Sequence, residues 1–131
     1  MKDFTQYEQS LELKELGFDE PCFGYYDIKD NNLQLFSDNL QDASCNSDLK
    51  YDDFKHCTAP LYQQAFRFFR ENHDLRIWIE SNYGVLKFEY VIATTNPNFI
   101  NKQFNDFSGY NTYEEAELAC LIKLIEIVKT K

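Results

Sequence analysis

Two short stretches of the chain carry its cleanest period of two. Leu75, Ile77 and Ile79 are interleaved with Arg76, Trp78 and Glu80, and Leu86, Phe88, Tyr90 and Ile92 with Lys87, Glu89 and Val91. A period of two sends successive side chains to opposite faces of an extended backbone, so the pattern predicts two half-buried strands. Ser81 to Gly84 supplies the turn, giving an antiparallel hairpin that supports the second helix and carries Trp78 on the face of Arg76 and Glu80. A second hairpin is read from Cys22 to Ile28 and from Leu33 to Phe36, joined by the turn residues Lys29, Asp30, Asn31 and Asn32.

Helical spacing appears around these hairpins. Tyr7, Leu11, Leu13 and Leu16 mark a helix over residues 6–16 that stops at Gly17, a residue suited to a left-handed cap. Leu61, Tyr62, Ala65, Phe66, Phe68 and Phe69 form the apolar stripe of a second helix, with Pro60 suited to its first turn. Tyr113 to Val128, YEEAELACLIKLIEIV, is the third and most apolar. Thr5 with Glu8 and Thr112 with Glu115 have the spacing of a capping box, in which a hydroxyl and a carboxylate satisfy the first free amides reciprocally. The fold class expected is therefore α+β, in the order α-β-β-α-β-β-α, with an antiparallel four-stranded sheet packed by helices. Residues 1–131 are expected to make a single compact domain.

Residues 37–59 and 94–111 lack a clear period and are read as long loops or irregular segments. The first could hold a short helix near Leu49 to Phe54, be partly disordered, or serve as an interaction loop. In the second, Phe99, Phe104, Phe107 and Tyr110 alternate with polar residues and are expected to pin the loop to the core. The third helix has a surplus: Leu118, Leu121, Ile122 and Ile125 widen the stripe of Ala116, Cys120, Leu124 and Ile127. A homodimer through this C-terminal helix would bury them, and so would the first helix and the 94–111 loop of the same chain.

Charge then divides the chain. Residues 1–59 hold 13 Asp and Glu against 5 Lys, net -8, while residues 60–131 hold 9 acids against 8 Lys and Arg, net -1. A field of that sign repels a phosphate backbone, which argues against direct nucleic-acid binding and for a protein partner with a basic surface. The opening residues, MKDFTQYEQ, are polar, and no apolar run reaches the ~18 residues of a membrane span. The expectation is a cytoplasmic protein with no membrane partner, its thiols Cys22, Cys45, Cys57 and Cys120 free.

Candidate chemistry is sparse. His56 and His73 are the two imidazoles, and His56 with Asp52 or Asp53 is the one acid-base arrangement the spacing offers. Cys22, Cys45, His56 and Cys57 do not have the spacing of a compact zinc element, and Asp48, Asp52 and Asp53 lack the order of a calcium loop. Gly17, Gly24, Gly84 and Gly109 stand alone, so no phosphate-cradling loop arises. No metal or cofactor site is read, and catalytic residues stay unassigned.

The segments GFDEPCFGYYD at 17–27, APLYQQAFRFFREN at 59–72 and YNTYEEAELACLIKLIEIVK at 110–129 resemble a group of small proteins of Bacteroidetes bacteria and of their phages and mobile elements. The resemblance covers about a third of the chain and implies an accessory protein in a setting where host-takeover and regulatory proteins are common. It carries over no site residue. The leading functional expectation is a noncatalytic intracellular protein-interaction or regulatory module. An acidic nucleic-acid mimic that inhibits a host protein is the first alternative, and a small enzyme or ligand-binding protein using the 37–59 loop is the second.

Overall fold

A computed structural model of the chain describes residues 2–49, 54–82, 86–95, 103–105 and 109–130, with the backbone alone at 82 and 103–105. Their contacts gather into two compact units, Met1–Ala65 and Phe66–Lys131. Both are mixtures of antiparallel sheet and helix.

The first unit contains α1 (Tyr7–Glu15), β1 (Gly24–Asp27), β2 (Leu33–Leu35), α2 (Asn46–Leu49) and β3 (Lys55–Ala59). The chain stops α1 where Gly17 takes φ +98°. There the Phe18 amide donates to the Leu13 carbonyl and the Gly17 amide to that of Lys14, the paired bonds of a Schellman cap. Leu13 and Phe18 meet the accompanying apolar requirement, both being fully buried.

The other end of α1 departs from expectation. Gln6 is the cap residue and makes no side-chain cap bond, so the Thr5 and Glu8 capping box does not form. Thr5 is drawn inward instead: its amide donates to Pro60, its carbonyl accepts the Tyr26 hydroxyl at 2.6 Å, and its hydroxyl lies 2.6 Å from that of Ser10. A buried threonine already committed to these bonds cannot also cap a helix.

The sheet of this unit has the order β2-β1-β3, antiparallel throughout, with Gly24 opposite both Leu35 and Ala59. The turn between β1 and β2 forms as its residues demand. Asp27 Oδ1 accepts the Lys29 amide, Asp30 Oδ1 accepts the Asn32 amide, and Asn31 adopts φ 58°. Tyr26, Cys57 and Ala59 share one buried face with Phe4. On the short helix α2, Asn46 Nδ2 donates to the Phe18 carbonyl at 2.8 Å while its Oδ1 accepts the Thr58 amide at 2.9 Å. One buried amide side chain thereby satisfies two backbone groups that neither helix nor sheet reaches.

The helix α3 (Tyr62–His73) begins in the first unit and ends in the second. Pro60 lies ahead of it, not in its first turn, and Gln64 Oε1 reaches back to accept the Leu61 amide. The second unit continues with β4 (Arg76–Asn82), β5 (Lys87–Ala93), β6 (Gln103–Asn105) and α4 (Tyr113–Thr130). The alternating hairpin forms in full register, Arg76 opposite Ala93 through Asn82 opposite Lys87, and β6 pairs with the far side of β5. The turn residues 83–85 lie outside the described residues. The helix laid on this hairpin is α4, which meets β5 and β4. At its start the Glu115 amide donates to Thr112 Oγ1 at 3.1 Å, and the Glu115 carboxylate accepts the Asn111 amide.

Leu121 and Leu124 of α4 are completely buried, as is Ile92 of β5. Each such side chain contributes about 1.5 to 3 kcal/mol relative to exposure. Of the surplus residues on α4, Leu121 and Ile125 are buried, Leu118 is half-buried and Ile122 is exposed.

The expected single four-stranded sheet is therefore corrected to two three-stranded sheets. Both hairpins form, but each gains a third strand from a segment read as irregular. The sequence KHCTA of β3 hides its period because Cys57, Thr58 and Ala59 are all buried in succession and the ladder slips a residue between Tyr26 and Asp27. The strand β6 has only three residues, too short for any period to register. Within 37–59 the helix is Asn46–Leu49, earlier than the Leu49 to Phe54 placement, and residues 50–53 lie outside the described residues. In 94–111, Tyr110 stacks on Tyr90 at 6.4 Å, while Phe99, the Phe104 side chain and Phe107 lie outside the described residues.

Candidate interaction site

The slip in register is the feature that organises the surface of the first unit. Tyr26 faces Cys57 and Asp27 faces Lys55, which leaves His56 as an extra residue in β3. A bulge of this kind re-aims the side chains on either side of it. With uninterrupted alternation Lys55 would share the buried face of Cys57. The slip puts it on the opposite face, where its Nζ lies 5.2 Å from the Tyr25 ring centre and 5.1 Å from that of Phe36. Those rings are themselves 4.9 Å apart. Cation and ring attract through the negative face of the π system, and the contact holds the ammonium against the sheet.

His56 stacks on Tyr7 of α1 at 5.9 Å with an interplanar angle of 29°, and Tyr7 in turn meets Tyr26 edge-on at 5.5 Å. Lys14 Nζ donates to the His56 carbonyl at 2.6 Å. The imidazole is half-buried, and among the described residues no side chain hydrogen-bonds to it. Asp52 and Asp53, its sequence-predicted acid-base partners, lie outside the described residues.

Beyond the bulge the ladder ends on a pair of exposed apolar side chains. The Ile28 amide donates to the Phe54 carbonyl at 2.9 Å, and the two residues are 53% and 72% exposed. Large apolar side chains exposed to water cost free energy, and covering them would recover it. Neither was singled out from the sequence. Phe54 was visible as a large ring in an otherwise polar run, but the strand that pairs it with Ile28 was not.

The three buried thiols, Cys22, Cys57 and Cys120, are poorly placed to act as nucleophiles at neutral pH. Burial pushes Cys22 up to about 12, against a weaker downward pull from the Thr58 hydroxyl, and pushes Cys57 up to about 11. Cys45 is raised by burial and by the nearby carboxylates of Asp19, Asp48 and Glu20. Cys120, within α4, is raised by burial and then by Glu117. A thiol that stays protonated neither attacks a carbon centre nor ligates a metal readily. Among the described residues no group of three or more His, Cys, Asp and Glu side chains is placed to hold a metal ion.

In the second unit His73 closes α3 between the rings of Phe68 and Phe69, at 5.5 and 5.9 Å. Next to it Asp74, at φ 54°, accepts both the amide and the hydroxyl of Thr95, and the hydroxyl bond chiefly holds its carboxyl below the ordinary range. A shallow depression lined by Arg76, Ala93, Thr94 and Thr95 lies beside this bond. It is lined mainly by apolar atoms, and its polar groups serve the turn. Among the described residues no helix is long and apolar enough to cross a membrane.

Compared with models of protein families, with curated proteins and with solved structures, the chain has no match.

Proposed function

We propose that the protein is a noncatalytic, intracellular interaction module, and that the bulged end of its first sheet is the surface that meets a basic protein partner. The observation that carries this reading is the pair Ile28 and Phe54, exposed side by side in the unit that holds almost all of the net charge. An exposed apolar pair on a unit of strongly negative net charge suits a partner that presents an apolar contact within a basic surface. The protonated thiols and the stacked His56 lend the same region little means for chemistry. The resemblance to proteins of Bacteroidetes and their phages makes a bacterial host protein the partner to seek.

The test compares the wild-type chain with Phe54→Asp and Ile28→Asp variants as baits in a bacterial lysate at low and high salt. The wild type is expected to retain a basic protein that salt releases, and each variant to lose it while its stability shifts by no more than about 0.5 kcal/mol. Retention of no protein at low salt, or equal retention by all three baits, removes the proposal. The acidic decoy is a second reading, favoured by the way the charge boundary falls beside the boundary between the units. Here the carboxylates would occupy a phosphate-binding groove, so duplex DNA added to the lysate would displace the protein from its partner. Displacement of the partner by DNA selects the decoy reading, and indifference to DNA rejects it.

A further inference from the structure

The outer edge of β4 is an open strand of seven residues. Its hydrogen-bonding direction follows from the other side of the sheet. Phe88 exchanges both of its backbone bonds with Tyr110, so Phe88, Tyr90 and Ile92 direct their amides and carbonyls away from β4. The alternate residues of β5 bond to β4, which leaves Ile77, Ile79 and Ser81 with backbone groups facing outward. Among the described residues nothing pairs with them. Of the devices that ordinarily keep an edge strand single, β4 has no proline, no break in register and no shortening, and its two charges, Arg76 and Glu80, are of opposite sign.

The side chains match this edge to itself. Across the hairpin Glu80 stands directly opposite Glu89, a like-charge pair that destabilises a sheet, and Lys87 diagonal to Glu80 offsets it in part. Trp78, on the same face, is 46% exposed. If two copies of β4 run antiparallel about a twofold axis at Ile79, Ile77 falls opposite Ser81 of the second copy, and both pairs lie on outward-facing backbone. The register then sets Trp78 opposite Glu80 of the second copy and brings Arg76 diagonal to that same Glu80, within reach of long side chains. A shift of one residue would present inward-facing backbone and lose the bonds.

We propose that β4 pairs with β4 of a second copy, centred on Ile79, to make one continuous six-stranded sheet across a symmetric dimer. The occupant of the edge is the chain itself because the edge supplies its own complement: Arg76, which among the described residues makes only a long, exposed 3.7 Å contact with Asp74, comes within reach of Glu80 of the other copy and joins Lys87 there in offsetting the Glu80 and Glu89 pair.

Sedimentation equilibrium of the full chain over micromolar concentrations tests this. The mass is expected to rise from 15.6 kDa toward twice that value. In parallel, acrylamide quenching of Trp78, the single tryptophan, should fall as concentration rises. Ile79→Pro removes an amide that only the dimer uses and should abolish association. Arg76→Glu should weaken it about tenfold or more through like-charge contact, and adding Glu80→Arg to that variant should restore it. Ile122→Glu on α4 should leave it unchanged. Circular dichroism checks the fold of each variant, and the charge pair decides the matter if Ile79→Pro does not fold. A constant mass of 15.6 kDa overturns the proposal, as does a dimer indifferent to Arg76→Glu or one lost through Ile122→Glu.

Discussion

The two units solve the same problem, a three-stranded sheet with helices on it, with different interiors. In the first, Thr5, Gln9, Ser10, Asn46 and Thr58 are buried among the apolar side chains, and the side chains of Ser10 and Asn46 bond to backbone groups there. In the second, Thr94 is the buried polar residue among those described, and the core is built from Leu75, Ile92, Leu121, Leu124 and their neighbours. The first unit also carries nearly all the net charge. A strongly charged chain segment with fewer aliphatic residues reaches a defined fold by satisfying polar groups in specific geometry. A near-neutral one does so by filling volume. Losses in the first unit should therefore track hydrogen bonds, and losses in the second should track removed methylenes.

The largest expected effect lies in the second unit. Leu124→Ala empties space in a fully buried position and should cost about 3 kcal/mol, measured by urea denaturation. A cost below about 1 kcal/mol would mean that the core collapses around the gap, and the contrast with the first unit would weaken. Asn46→Ala comes next, at about 2 kcal/mol, because it removes the bonds to the Phe18 carbonyl and the Thr58 amide together. Amide exchange at Thr58 should accelerate more than at its neighbours in β3. Gln9→Met sharpens the comparison from the opposite side. Gln9 is buried with no hydrogen-bond partner for its Oε1, so its replacement by an apolar side chain of similar length should stabilise the protein by about 1 kcal/mol. If it destabilises instead, Gln9 belongs with Asn46 as a structural amide.

The effect that is absent at neutral pH concerns the thiols. Cys22 and Cys57 titrate at about 12 and about 11 in the folded chain, above the ordinary value of 9.0. The unfolded chain therefore releases those protons first, and the associated stability is complete below pH 9 and declines as pH rises toward 11 and 12. A melting-temperature series across alkaline pH should slope downward, and Cys22→Ala with Cys57→Ala should flatten it. In the native chain at neutral pH a thiol reagent should modify Cys45 first, since Cys22, Cys57 and Cys120 are buried.

Much of the second unit was legible along the chain. The alternation from Leu75 to Glu80 and from Leu86 to Ile92 specifies two strands and their antiparallel pairing, while the faces follow it only in part: Leu86 stands outside β5 and is exposed, and Val91, on the face opposite Ile92, is buried. The Gly17 stop of α1, the Asn and Asp turn after β1 and the Thr112 cap of α4 were legible for a similar reason. Each is local chemistry complete within a few residues.

The candidate site was not legible. His56 could be noted from its sequence, but Phe54 and Ile28 become neighbours only when β3 pairs with β1, and β3 has no period to announce it. Cys57, Thr58 and Ala59 are small and buried on both faces, and the bulge at His56 breaks what alternation there is. The same holds for Thr5, which has the sequence of a cap and the position of a core residue. The amino-acid sequence alone determined the elements whose signal is local: helix stripes, caps, turns and the regular hairpin. Tertiary structure decided which short polar segments become third strands, that the hairpins belong to two sheets, and which side chains meet at the sheet's end. Those outcomes depend on long-range backbone pairing, whose hydrogen-bonding groups are the same in every residue but proline and so leave little trace in sequence.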